Sequence, residues 1–163
     1  MTTAGKLQSE PKKRQPFELI EQEVFLNLIR SADQLSRGVD EALKPAGLSA
    51  TQYNVLRILR GAGAGDCQGL ACQEIGERMV TRDPDITRLL DRIESRGLIA
   101  RQRSTTDRRV VHTRITDAGL ALLATLDAPL AAMHKEQFRC LTKAQIQTLI
   151  DLLERVRDAT PET

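Results

Sequence analysis

The sequence predicts a mainly α fold that carries one small β-hairpin. Three observations predict it. Apolar residues recur at spacings of three and four through long segments at both ends of the chain. Two shorter helical segments with a tight turn between them occupy the middle. Directly after that pair, an arginine-rich stretch leads into β-branched residues that alternate with polar ones, as a strand does.

Taken in order, residues 1–16 are polar and basic with two prolines, and read as a flexible basic arm. A long amphipathic helix follows, with Phe17, Ile20, Val24, Leu28, Ala32, Leu35, Val39 and Leu43 on one face. It ends at Lys44-Pro45-Ala46-Gly47, because proline cannot continue the hydrogen-bond ladder. Ser49 and Gln52 form a capping box for a second helix through Val55, Leu56 and Leu59, which stops at the glycine run 61–65. A short helix spans about Leu70 to Met79, a turn spans Val80 to Asp83, and a fourth helix spans Pro84 to Arg96. Asp83 is the expected N-cap and Pro84 the expected first helical residue. Gly97 stops this helix. Residues 98–116 read as a β-hairpin with a long basic tip. Helix resumes after Thr116, with a kink or break expected at Pro129, and the last helix starts at the capping box of Thr142 and Gln145. A short helix, a tight turn, a second helix and a basic hairpin together make a winged helix-turn-helix. The leucine-rich C-terminal helices carry more apolar residues than an isolated pair of helices buries, which predicts a dimer interface there.

Composition narrows the function. The chain has 163 residues, one domain's length, with 28% charged and 40% apolar residues. No stretch approaches ~18 apolar residues, so no membrane span is expected. Residues 1–16 lack the apolar core of a secretory signal, which makes the cytoplasm, with the nucleoid, the expected location. Three cysteines, Cys67, Cys72 and Cys140, do not suggest a disulfide framework, and no metal-ligand spacing or catalytic arrangement is present. Neither an enzyme, nor a metal site, nor a cofactor is expected. The formal net charge of +2 conceals an asymmetry: Arg82 to Arg114 holds nine arginines against five acids. A charge run alone also fits a solvated surface; aromatic residues are 2% of the chain, too few for the stacking platforms of single-stranded nucleic-acid binding, so among nucleic acids the duplex is favoured.

The candidate DNA-binding residues lie in two places. The start of the fourth helix, with Arg82, Asp85, Thr87 and Arg88, would face the floor of the major groove. Arg92 and Arg96 follow on that helix, and either meet phosphates or pair with Asp91 or Glu94. On the hairpin, Arg101, Arg103 and Arg114 lie on the arms, within reach of phosphates. Arg108 and Arg109 lie at the tip beside Asp107, where a guanidinium suits the narrow minor groove. His112 is expected to face solvent from its strand, Cys72 to be a small buried hydrophobe, and Cys67 is a candidate redox switch.

Two stretches carry a family resemblance: Asp85 to Ile99, and Asp107 to Gly119 with its Asp-x-Arg, strand and Thr-x-x-Gly order. Leu70 to Arg78 matches the preceding helix. Over residues 17–158 the sequence resembles the MarR family of bacterial transcription regulators. The resemblance implies a homodimer in which helix one (17–48) and the C-terminal helices (117–163) interlock around the winged helix-turn-helix (49–116). It makes Asp107 and Arg109 the wing pair. It also implies a repressor on a pseudo-palindromic operator, modulated by a small phenolic or aromatic effector. The alternatives are a winged-helix dimer that binds a protein in place of DNA, and a thiol-based redox-responsive regulator.

Overall fold

A computed structural model describes residue 17 and residues 19–63, 69–81, 84–103 and 110–159. The order is α1 (Ile20–Leu43), a single 3-10 turn (Lys44–Ala46), α2 (Ala50–Ala62), β1 (Leu70–Ala71), α3 (Cys72–Arg78), α4 (Ile86–Glu94), β2 (Ile99–Arg103), β3 (Val111–Ile115), α5 (Asp117–Gln137) and α6 (Lys143–Asp158). The predicted winged helix-turn-helix is present, and no described helix is long and apolar enough to cross a membrane. The basic arm and the end of the glycine run, within residues 64–68, lie outside the described residues.

Local chemistry accounts for most helix ends. The Ser49 hydroxyl accepts from the Gln52 amide at 3.2 Å, and the Gln52 side chain returns the bond to the Ser49 amide at 3.1 Å. At the start of α6 the Thr142 hydroxyl accepts from the Gln145 amide, and the Gln145 side chain accepts from the Thr142 amide. The Glu74 carboxylate accepts from the Ala71 amide at 2.7 Å and closes the first turn of α3.

Four sequence expectations need correction. Helix α4 begins later than predicted: its N-cap is Asp85, whose carboxylate accepts from the Arg88 amide at 3.2 Å, and Pro84 lies in the preceding turn. Either aspartate suits a cap by residue type, and Asp85 is the one that caps the helix. The wing sheet has three strands in the order β1-β3-β2, not two. Leu70-Ala71, read as helical, pairs antiparallel with Thr113 and His112. A two-residue strand has no period to read. Gly69 permits that pairing: its φ is +98°, and a Cβ there would sit 2.7 Å from the Thr113 carbonyl oxygen. Pro129 does not break α5, which runs unbroken to Gln137. Proline forfeits one backbone hydrogen bond, at an exposed position, while Leu123, Leu126 and Leu130 stay buried on either side of it. Finally, His112 is half-buried rather than solvent-facing, and its Nδ1 is enclosed without a hydrogen-bond partner.

One core joins the end of α1, α2, α3, α4, the sheet and the first half of α5. Leu43, Val55, Leu56, Ile75, Ile93 and Leu123 are its most enclosed members. The two ends of the chain behave differently. The first half of α1 exposes Ile20, Val24, Phe25 and Ile29, and α6 buries no residue at all while exposing Ile150, Leu152 and Val156.

Candidate nucleic-acid interface

Helix α4 is held from one side and open on the other. Leu89, Leu90 and Ile93 anchor it in the core, and Thr87, Arg88, Asp91 and Arg92 are exposed. Asp85 caps the helix through one carboxylate oxygen and approaches the Arg88 Nε with the other at 3.2 Å. The same aspartate thus fixes the helix start and steadies the first guanidinium of the helix. Arg92 extends the basic face by one turn, and it pairs with no acid among the described residues.

The wing begins with β2. Arg103 is exposed on it, opposite Val111, where the hairpin heads towards its tip. Arg82 and the tip residues Asp107, Arg108 and Arg109 lie outside the described residues. Arg114 is exposed on β3 and donates to the Gln102 side chain at 2.8 Å.

Two arginines of the basic segment turn inward. Arg101, expected to approach phosphate, packs against α4. Its Nε donates to Glu94 at 2.8 Å, its Nη2 meets Asp91 at 2.5 Å, and its backbone amide donates to the other Glu94 oxygen at 3.1 Å. The Arg101 hydrogen bond holds the Glu94 carboxyl below the usual range, against the opposing effect of burial. Glu94 likewise raises Arg101, so the pair is charged at neutral pH. Arg96, predicted as the last residue of the fourth helix, lies just past α4, which ends at Glu94; it donates to the carbonyls of Gly47 at 2.7 Å and Ala46 at 2.9 Å, so it meets the α1–α2 corner and neither Asp91 nor Glu94. The acids Asp91 and Glu94, three residues apart on one helix face, were the sequence signal that an arginine would be captured here. Nothing in the sequence pointed to the Arg96 carbonyl contacts.

Two further residues that sequence reasoning missed position the unit. Asn54 on α2 accepts from the Val80 amide at 3.1 Å, which ties the turn between α3 and α4 to the core. Thr116 donates from its hydroxyl to the Gly97 carbonyl at 2.7 Å and accepts from the Gly119 amide at 3.1 Å, so one side chain joins the end of the α4 region to the start of α5. Between α3, α4 and the sheet lies a cavity of about 410 Å³, walled in part by Cys72, Thr87, Leu90, Arg101 and Val111. Cys72 is half-buried against the core and Cys140 is exposed; Cys67 lies outside the described residues. No cluster of potential metal ligands exists among the described residues.

This arrangement is matched by known proteins. The model of the MarR family matches residues 48–111, from the start of α2 into β3. A MarR transcription factor from Planctomyces limnophilus is 40% identical, covers 85% of this chain and 98% of its own, and superposes with a TM-score of 0.65. The chain belongs to the MarR family. A mutant MarR from E. coli, crystallised with operator DNA, shares 25% identity and a TM-score of 0.74 over 86% of this chain and 98% of that one. The HTH-type transcriptional regulator MhqR of Bacillus subtilis (strain 168) is 28% identical over 82% of this chain and 88% of its own length. As a MarR-family member the chain is a DNA-binding transcription regulator, and α3, α4 and the β2–β3 hairpin are its winged helix-turn-helix.

Proposed function

We propose that the chain binds duplex DNA as a homodimer, with Thr87, Arg88 and Arg92 of α4 in the major groove and the wing over the adjacent minor groove. The observation that carries this reading is the two-sided character of α4, anchored by three buried apolar residues and presenting two exposed arginines beside a basic strand. Asp85 acts through Arg88. Arg82 and the wing residues Arg103, Asp107, Arg108 and Arg109 complete the surface, with Arg109 entering the minor groove. The E. coli relative crystallised with operator DNA supports DNA as the partner. The exposed apolar faces of α1 and α6 support the dimer, since α6 buries none of its residues among the described part of the chain. Helix one (17–48) and the C-terminal helices (117–163) supply that interface, and residues 49–116 supply the reading head.

Two-fold symmetry then sets the operator as a pseudo-palindrome with half-sites about one helical turn apart. The dimer acts as a repressor in the cytoplasm, at the nucleoid, and is released by a small phenolic or aromatic effector, the ligand class the family likeness implies. Nuclease footprinting on the DNA upstream of the protein's own gene tests this. Two protected half-sites about one turn apart, lost on addition of an effector such as an aromatic carboxylate, support it. Protection that is uniform along the fragment contradicts sequence-specific binding.

A further inference from the structure

Helix α4 carries acid where a DNA-reading surface should repel it. Thr87, Asp91 and Glu94 recur at spacings of four and three, so they form one stripe along the helix. The stripe begins beside Arg88 on the exposed face and runs towards β2. The Asp91 side chain is 53% exposed and the Glu94 side chain 36% exposed, so both carboxylates lie at the surface and their charge is offset by whatever cation meets them there. One guanidinium meets both: Arg101 Nη2 lies 2.5 Å from Asp91 and 2.6 Å from Glu94, while its Nε and its backbone amide also donate to Glu94. Arg101 itself is only 25% exposed, and its fork is occupied by protein.

Resting on the DNA-binding reading above, we infer that Arg101 is a positioning residue that acts without touching phosphate. It masks the Asp91 and Glu94 carboxylates on the recognition helix and locks the base of the wing to that helix. The chemistry is specific to arginine. A planar fork bridges two carboxylates and leaves the backbone amide to hold the third contact, which a lysine point charge does not reproduce. Removing the guanidinium would present two bare carboxylates to the DNA backbone and free β2 from α4. A contact that is already satisfied within the protein has no counterion to release on binding, so Arg101 adds little directly to the salt dependence.

The test is a mutant cycle read by fluorescence anisotropy on a duplex at several salt concentrations. Its members are the wild type, Arg101→Gln, the pair Asp91→Asn/Glu94→Gln, and all three changes together, each checked for folding by its thermal melt. Masking predicts that Arg101→Gln weakens binding by roughly tenfold, the scale of one lost arginine interaction. It predicts that the acid pair alone shifts affinity by less than about twofold, and that the triple variant recovers both the affinity and the salt slope of the wild type. Additive effects, with the slope still reduced by about 0.9 in the triple variant, would overturn it and make Arg101 a direct phosphate contact. If Arg101→Gln does not fold, the acid pair decides alone: a gain of about tenfold or more means that the acids were never masked. Absence of wild-type binding at low salt would instead overturn the DNA-binding reading on which the inference stands.

Discussion

The guanidinium of Arg96 donates to the carbonyl oxygen of Gly47 at 2.7 Å, across 49 positions of sequence. A second donor of the same fork reaches Ala46 at 2.9 Å. Arg96, just past the end of α4, thus braces the corner between α1 and α2, and the reading head is tied to the helix proposed to lead to the dimer interface. Arg96→Ala is expected to destabilise the fold by about 1 kcal/mol, below the usual range for hydrogen bonds to charged groups because the site is open to water. Urea unfolding measures the loss. The slope of DNA affinity against salt should stay at its wild-type value, since Arg96 faces protein and not phosphate.

A second long-range pair makes stability depend on pH. Arg60 on α2 holds Asp127 on α5 in a fork, at 2.8 and 3.0 Å. The Arg60 hydrogen bond lowers the Asp127 carboxyl from its ordinary 3.8, with burial opposing it. A carboxyl whose folded-state value is depressed contributes stability that is present above the unfolded value. That contribution is lost as the pH falls through the folded one. The pair is partly exposed, so its worth at neutral pH is expected to be below ~1 kcal/mol. Urea unfolding of the wild type and Asp127→Asn from neutral pH downwards should show a gap that closes below the ordinary Asp range. A gap that widens in acid contradicts the assignment.

The joint at Thr116 leaves no room for a larger residue three positions on. A Cβ on Gly119 would lie 2.3 Å from the Leu98 carbonyl oxygen and 2.7 Å from Ile115. The obstacle includes backbone, so the start of α5 must move away from the wing. Gly119→Ala is expected to cost about 1–3 kcal/mol, the range of overpacked interiors. It should also weaken DNA binding, because the shift reaches the Gly97 end of the recognition helix. A thermal melt and an affinity measurement on the same preparation check both effects.

Some of this was legible in the sequence and some was not, for identifiable reasons. The helices with a clear period or a capping box appeared where expected, α2 and α6 among them, and so did the outward arginines of α4. The start of α4 was misplaced because Asp83 and Asp85 are equally good caps by residue type, and Pro84 at a first helical position favoured the earlier one. β1 was invisible because two residues carry no alternation. Pro129 misled because local propensity predicts a break that the buried leucines around it override. The inward turn of Arg101 and Arg96 needed three dimensions: their partners are brought near by the hairpin and by the α1–α2 corner.

The exposed apolar residues of the terminal helices predict the oligomeric state. Ile150 and Val156 are 42% and 53% exposed on a helix that buries none of its residues. Replacing both with aspartate places charge in the proposed interface and is expected to shift the protein from dimer to monomer, or to abolish folding where the monomer is not stable alone. Sedimentation equilibrium distinguishes the outcomes. A variant that remains a folded dimer excludes α6 from the interface.

The central claim is that α4 reads duplex DNA through its exposed arginines, and one titration tests it most directly. Fluorescence anisotropy on duplex DNA from upstream of the protein's own gene would compare the wild type with Arg88→Ala across a range of salt. The account predicts wild-type binding that falls steeply as salt rises, and binding weakened by about 1–3 kcal/mol in the variant, with sequence discrimination reduced. Equal affinity and equal discrimination in the two proteins would contradict a reading role for α4.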